Sequence, residues 1–280
     1  MEVIICQYAG FCFGVERAMR LTMSTLENSP DTRIATYGPL IHNPQVVKTL
    51  EEKGVKEIKQ AESKIDTDIL IMPSHGAPRE LFSVCEEQNI RVVDATCPFV
   101  KDVHNKVREF IGRDMCVVII GDANHTEVKG VVGWAEDNCI VIGSKEDIDK
   151  YDFSDKYVGI VSQTTNSEEY FRSLADIIVR RARKAVVQNT ICSATHNRQK
   201  SAIALAEQTG AMVVIGGKNS ANTKRLYQLC KKANPHTFHI ETADELQREW
   251  FAGIDKVGLT AGASTPAWII DSIAASIKSF

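Results

Sequence analysis

Three cysteines stand where a polypeptide stabilises a thiolate. Val92-Val93-Asp94-Ala95-Thr96-Cys97-Pro98-Phe99-Val100 runs from a β-branched pair through a polar corner into a helical pattern. Proline favours the first position of a helix, which puts Cys97 at or near an N-cap. A helix N-terminus offers unpaired N–H groups and partial positive charge, and both favour S⁻ over S–H. Cys12, in Phe11-Cys12-Phe13-Gly14-Val15, and Cys192, in Ile191-Cys192-Ser193-Ala194-Thr195, precede helical patterns in the same way. There is one such cysteine in each third of the 280-residue chain. Three thiolates from distant thirds suit an iron–sulfur cluster in which one iron has no protein ligand, because full ligation of four irons takes four cysteines. An iron left open in this way acts as a Lewis acid on a substrate oxygen.

The other cysteines (6, 85, 116, 139 and 230) read as buried small apolar residues, and no Cys-x-x-Cys pair marks a zinc site. Around the cysteines, short polar segments recur. They hold His42 and Asn43; Ser74, His75 and Gly76; His125 and Glu127; Thr164 and Thr165; Asn219, Ser220 and Asn222; Ser264 and Thr265. Each has an ordinary reading as well. His42 and His75 serve equally as caps or satisfied core histidines, and His104 and His196 as residues of helix surfaces or caps. Glu127 reads also as a first-turn helix acid, and the Ser, Asn and Thr residues as turn and N-cap residues. What sets these segments apart is their recurrence at matching places.

The elements that carry them read as one unit written three times. In the first pass, helices are predicted over residues 16–27, 45–53 and 79–88, and strands over 33–37, 55–58, 68–72 and 91–93. In the second, helices cover 99–111, 127–136 and 168–183, with strands over 115–120, 140–142, 157–161 and 185–187. In the third, helices cover 198–208, 223–232 and 267–279, with strands over 211–215, 237–240 and 256–260. This last pass lacks its final strand, and residues 2–6 have the character to supply it. Strands alternating with helices predict parallel sheets, whose ligands bind beyond the strand carboxyl ends. Every polar segment named above follows such an end. The expectation is an α/β protein of three pseudo-symmetric units arranged around a central cluster: residues 13–97, 98–190, and 191–280 completed by 1–12. Two unrelated Rossmann-like domains would explain the alternation but not the matching loops.

Composition narrows the class. With 44% hydrophobic and 25% charged residues the chain is ordinary globular protein. A net charge of −3 without a basic block gives no support to nucleic-acid binding. No apolar run approaches membrane-spanning length, and the N-terminus lacks the pattern of a signal peptide, so a cytoplasmic protein is expected.

Taken together, Ala9-Gly10-Phe11-Cys12-Phe13-Gly14-Val15, Ile41-His42-Asn43, Ser74-His75-Gly76, Asp94-Ala95-Thr96-Cys97-Pro98, His125-Thr126-Glu127-Val128, Gln163-Thr164-Thr165, Ile191-Cys192-Ser193-Ala194-Thr195, Lys218-Asn219-Ser220-Ala221-Asn222 and Thr260-Ala261-Gly262-Ala263-Ser264 closely resemble the 4-hydroxy-3-methylbut-2-enyl diphosphate reductase family, over essentially the whole chain. That resemblance implies the last step of the methylerythritol phosphate route to isoprenoids. Cys12, Cys97 and Cys192 would hold a [4Fe–4S] cluster, whose open iron would take the allylic hydroxyl of the substrate. Two electrons and protons would then release water and give isopentenyl and dimethylallyl diphosphate. His42, His75, Ser220, Ala221, Asn222 and Ser264 would hold the diphosphate, with His125 nearby. Glu127 would relay protons with help from Thr164. No Gly-x-Gly-x-x-Gly follows a strand, so the electrons would come from outside, from ferredoxin or flavodoxin.

The chain departs from the family pattern twice. Ala221 stands where a second serine is usual, leaving a backbone N–H and no hydroxyl. Thr126 replaces the usual proline between the histidine and the acid. Two other classes compete. A quinolinate synthase or hydro-lyase would need a cation for a carboxylate substrate, and Lys218 and Lys129 are the candidates in these loops. A cluster- or zinc-based sensor would need no converging His, Glu and Thr, and no basic helix-turn-helix is evident.

Overall fold

The computed structural model describes residues 1–59, 64–136, 138–218 and 220–280, and at Ala221 the backbone alone. The first third contains β1 (Glu2–Ile5), α1 (Phe13–Asn28), β2 (Ile34–Tyr37), α2 (Pro44–Glu52), β3 (Lys56–Ile58), β4 (Ile69–Met72), α3 (Arg79–Glu87) and β5 (Arg91–Asp94). The second contains α4 (Pro98–Ile111), β6 (Cys116–Ile120), α5 (Thr126–Val132), β7 (Cys139–Ile142), α6 (Lys145–Ile148), β8 (Tyr157–Ser162), α7 (Glu168–Arg181) and β9 (Lys184–Val187). The third contains α8 (Ser193–Gln208), β10 (Ala211–Ile215), α9 (Ala221–Ala233), β11 (Thr237–Ile240), β12 (Lys256–Ala261) and α10 (Ala267–Lys278), with two short 3₁₀ turns between β11 and β12.

These strands form three four-stranded sheets, all parallel, in the orders β3-β2-β4-β5, β7-β6-β8-β9 and β11-β10-β12-β1. The pattern repeats with one substitution: β1 takes the edge that β5 and β9 hold in the other sheets. It pairs with β12 in register from Glu2 opposite Lys256 to Ile5 opposite Leu259. The central strands are buried along almost their whole length, as Ile69–Met72, Val117–Ile120 and Ala211–Ile215 illustrate. Such unbroken apolar runs are what a sheet covered on both faces requires.

The chain divides into two compact units. A terminal unit comprises Met1–Glu16, Ile41–Leu50 and Ser193–Phe280; a central unit comprises Arg17–Leu40 and Glu51–Cys192. In the terminal unit, α10 lays Ile269, Ile270, Ile273 and Ile277 on the β10–β12 face, while Ala202, Ala206, Leu226 and Cys230 cover the other side. In the central unit, Phe110 and Val107 of α4 pack on β6 and β8 opposite Phe171, Leu174 and Ile178 of α7.

Several expectations are corrected here. His104 is not a surface residue. It is 5% exposed, stacked on Trp134 with ring centroids 5.1 Å apart, because α4 turns this position toward α5 rather than toward water. Cys116 and Cys139 lie on strands as expected but are only half-buried, Cys139 on edge strand β7 and Cys116 at the start of β6. The α6 turn and the 3₁₀ turns were not foreseen: their Ser144 and Thr242 N-caps sit in segments too short for a hydrophobic period. Asn219 lies outside the described residues.

Candidate functional site

Each of the three cysteines immediately precedes a helix. Cys97 is the N-cap of α4 with Pro98 at the first helical position, and its carbonyl accepts the Lys101 N–H at 2.9 Å. The Cys12 carbonyl accepts the Glu16 N–H at 2.9 Å at the start of α1, and Cys192 leads into α8. All three are half-buried. The contrast is with Cys85 and Cys230, which are fully buried: burial pushes the Cys85 thiol up and the Cys230 thiol up to about 12.

In the central unit a continuous set of contacts joins two of these cysteines to the polar segments. The Cys97 N–H donates to the Ser74 carbonyl at 2.9 Å, so the turn that carries His75 and the loop that carries Cys97 are tied together. Gly76 closes that turn at φ +85°, and a Cβ there would come within 2.8 Å of the His104 ring, so both conformation and space call for glycine. Gly130, one turn beyond Glu127 on α5, faces the Gly76–Ala77 backbone at van der Waals distance. Thr164, at the carboxyl end of β8, accepts the Cys192 N–H at 3.0 Å and donates to Glu127.

Glu127 is 3% exposed. Its Oε1 accepts the Thr164 N–H at 2.6 Å and its Oε2 the Thr164 hydroxyl at 2.7 Å. Burial drives its carboxyl upward and the two Thr164 bonds pull it back, leaving it at about 6. His125 caps α5, and its Nδ1 accepts the Glu127 N–H at 3.2 Å. With Nδ1 as the acceptor, Nε2 is the ring nitrogen left to donate. The expected residues His75, His125, Glu127, Thr164, Cys97 and Cys192 thus belong to one unit and are linked through these segments.

In the terminal unit a second set forms. The Cys12 N–H donates to the Ala263 carbonyl at 3.2 Å, and the neighbouring Ser264 hydroxyl donates to the His42 carbonyl at 3.0 Å. Ser220 caps α9, taking the Thr223 N–H on its hydroxyl, and its own N–H donates to Gly217 at 2.9 Å. Burial holds His42 below the usual imidazole range. Asn222 is 8% exposed, and among the described residues its side-chain N–H group has no hydrogen-bond partner. A buried unsatisfied donor costs stability, so in a native protein it marks a place for an acceptor. Ser220, Asn222, Ser264 and His42 all follow the carboxyl ends of β10, β12 and β2. Cys12 is on this unit and the other two cysteines are on the other; within either unit, no three His, Cys, Asp or Glu side chains among the described residues form a metal-binding group.

Both lysines that a carboxylate substrate would need are exposed. Lys218 is ion-paired with Glu245, and Lys129 is exposed on α5. Sequence reasoning missed two arginines, Arg17 and Arg198, which hold the backbone before Cys97 and Cys12. Their position five or six residues after a cysteine was visible, but a lone arginine on a helix carries no pattern of its own. Gln163 carries no role in the sequence motif; its Oε1 accepts the Asp122 N–H at 3.1 Å and bridges the loops after β6 and β8.

Comparison with known proteins follows the same lines. Residues 3–278 match the family model of the LytB protein. A 4-hydroxy-3-methylbut-2-enyl diphosphate reductase of Caldanaerobacter subterraneus is 44% identical over 281 residues, covering 100% of this chain and 97% of its own. The reductase of that name from Aquifex aeolicus is 44% identical, covering 99% and 96%. Among solved structures, one titled as (E)-4-hydroxy-3-methyl-but-2-enyl diphosphate reductase, the terminal enzyme of the non-mevalonate pathway, has 44% identity and a TM-score of 0.74 over 100% of both chains. The reductase structure from Plasmodium falciparum has 27% identity and a TM-score of 0.89 over 96% of this chain and 86% of that one.

Proposed function

The chain belongs to the LytB protein family, and from that premise we propose how its residues divide the work of the reaction. The chain is an oxidoreductase that converts (E)-4-hydroxy-3-methylbut-2-enyl diphosphate to isopentenyl and dimethylallyl diphosphate, the terminal step of the non-mevalonate pathway. The family is one of iron–sulfur proteins. We assign to it a [4Fe–4S] cluster held by Cys12, Cys97 and Cys192, with one iron not ligated by protein. The residues present fit such a group: three half-buried thiols, each immediately before a helix, in a chain whose fully buried cysteines are held in the neutral form. When bound, the cluster supplies the electrons and a Lewis-acidic iron for the substrate oxygen.

The protein supplies the rest. His42, His75, Ser220, Asn222, Ser264 and the Ala221 backbone N–H hold the diphosphate. The unpartnered Asn222 amide and the N-terminus of α9 support that assignment, since both offer donors to an anion. His125 presents Nε2–H toward the substrate. Glu127 holds the proton that leaves with the hydroxyl, and the Thr164 hydroxyl sets its orientation. The observation that carries this reading is the Glu127 carboxyl, buried, doubly bonded to Thr164 and pushed up to about 6, where a carboxylic acid is a competent donor near neutral pH. Ferredoxin or flavodoxin delivers the electrons, the setting is the cytoplasm, and the fold is organised as α/β units 13–97, 98–190, and 191–280 with 1–12. Among the described residues no helix is long and apolar enough to cross a membrane.

The test is the spectrum of anaerobically purified protein. A brown sample with a four-iron signal that the allylic diphosphate perturbs is expected. Bound zinc, or an iron signal indifferent to the diphosphate, would refute the assignment.

A further inference from the structure

Two arginines take no part in the chemistry above, yet each grips the backbone that leads into a cluster cysteine. Arg198 is 3% exposed on α8. Its Nε donates to the Tyr8 carbonyl at 2.8 Å and its second terminal nitrogen to the Gly10 carbonyl at 2.6 Å, just before Cys12. Arg17, half-buried on α1, donates to the Thr96 carbonyl at 3.2 Å and the Asp94 carbonyl at 3.4 Å, just before Cys97. In both cases one guanidinium collects carbonyls from residues i and i+2 of a bent loop. In both cases the arginine follows another cysteine closely: Arg17 is five residues after Cys12, and Arg198 six after Cys192.

We propose that Arg198 and Arg17 are positioning residues that fix Cys12 and Cys97 as cluster ligands, an inference that rests on the ligand assignment made above. The loop before Cys12 is tied at its end by the Cys12 N–H on the Ala263 carbonyl, and Arg198 holds its middle. Gly10 sits at φ +90°, with its Cα wedged so that a Cβ would lie 3.0 Å from Ile270 and 3.2 Å from the Thr265 carbonyl. The carbonyl of this positive-φ residue accepts from Arg198. The loop before Cys97 is held on its other side by Asp94, whose Oδ1 accepts the Thr96 N–H at 3.0 Å and whose Oδ2 meets Lys101 at 2.5 Å. The third loop uses a different device. Thr190, just before Cys192, accepts the Ser162 N–H at 2.8 Å and donates to the Ser162 carbonyl at 2.6 Å, so β8 anchors it directly.

A planar fork meets two carbonyls with two separate nitrogens at fixed spacing, whereas a lysine has one nitrogen and cannot hold both carbonyls in the same geometry. Lysine does keep the charge and one bond, which separates positioning from folding. Holoprotein with Arg198→Lys or Arg17→Lys, purified anaerobically, should keep wild-type iron content and melt near wild type after chelator stripping. Its iron should pass to a ferrous chelator about 10–100-fold faster, the scale of losing an outer-shell partner of a metal ligand, and its reduced electron paramagnetic resonance signal should change shape. Arg198→Gln and Arg17→Gln should lose iron faster still. The inference is overturned by folded Lys variants that hold iron at the wild-type rate with an unaltered signal. It is equally overturned by Lys variants whose stripped chain melts far below wild type, which would make the arginines structural. A parallel Cys12→Ser protein separates the two layers: full, stable iron there would refute the ligand assignment, whereas iron loss there beside indifferent Arg variants would refute only the positioning role.

Discussion

Thr164 gives Glu127 both of its donors, the backbone N–H to one carboxyl oxygen at 2.6 Å and the hydroxyl to the other at 2.7 Å. The same residue accepts the Cys192 N–H through its carbonyl. One residue at the end of β8 therefore orients an acid and ties down the backbone of a cysteine. A carboxyl with both oxygens fixed presents its proton in a defined direction and loses little freedom on reaction.

The first prediction concerns the acid itself. Glu127→Gln keeps the shape of the side chain but has no proton to release. It should retain iron and bind the diphosphate, while turnover with a chemical reductant falls about 10²–10⁴-fold, the usual scale for a general acid. Near-normal turnover would return Glu127 to the role of a first-turn helix acid.

The pH dependence gives the second. Glu127 lies at about 6 against an ordinary 4.5, because burial outweighs its bonds to Thr164. The folded chain thus binds more protons than the unfolded one between those values, and this residue's contribution to stability is lost as pH rises through that window. Turnover that needs the protonated form falls along the same limb. Thr164→Val removes the hydroxyl that stabilises the anion, so its pH–rate limb should move upward. A limb that stays in place in Thr164→Val would mean that another group titrates there.

Much of this arrangement was legible in the sequence, and the reasons are physical. Runs such as Val117-Val118-Ile119-Ile120 have too many β-branched residues and too short a span for anything but a covered strand. The repeat of those runs made the sheets readable, and residues 2–6 could be given to the third unit because that unit lacked its final strand; the edge position beside β12 is what the structure adds. Cys97 declared itself through Pro98. What stayed hidden depends on tertiary contact. His104 is polar in a helix that otherwise reads as amphipathic, and the packing of Trp134 and of the Gly76 turn against its ring explains its burial. Arg17 and Arg198 bond to main-chain carbonyls, which leave no mark on the sequence they recognise.

The cysteines supply a third prediction. Ser in place of Cys12, Cys97 or Cys192 puts a hard oxygen where a soft thiolate bound iron, and the cluster should be lost or crippled. Cys85→Ser and Cys230→Ser alter thiols that are fully buried and held neutral, so iron content should stay at the wild-type level. Full iron in Cys97→Ser would remove that residue from the ligand set.

A fourth concerns His42. Burial holds its imidazole below the usual range, so the ring is neutral in the free protein near pH 7. A diphosphate placed against it favours the imidazolium, and binding should then take up a proton. Calorimetric titration in buffers of different ionisation enthalpy reads that uptake directly. His42→Asn should lower the uptake and raise KM by about tenfold or more, the scale of a hydrogen bond to a charged group. Unchanged uptake and unchanged KM would separate His42 from the diphosphate.

The last prediction separates function from stability at Asn222. Its amide N–H is buried with no partner among the described residues, so the free protein carries the desolvation cost of that donor without the return of a bond. A ligand oxygen would supply the missing acceptor. Asn222→Leu keeps roughly the same volume and removes the polar group. Without ligand, the variant should melt at or above the wild-type temperature, a gain of up to about 1 kcal/mol, because no hydrogen bond from that N–H is lost. Its KM for the diphosphate should rise, while iron content and the ligand-free spectrum stay unchanged. Thermal melts of the ligand-free protein, set beside steady-state KM, decide the matter. A variant that melts well below wild type yet keeps its KM would make Asn222 a structural residue of the α9 N-terminus, and the donor to the diphosphate would have to be sought at Ser220 or the Ala221 backbone.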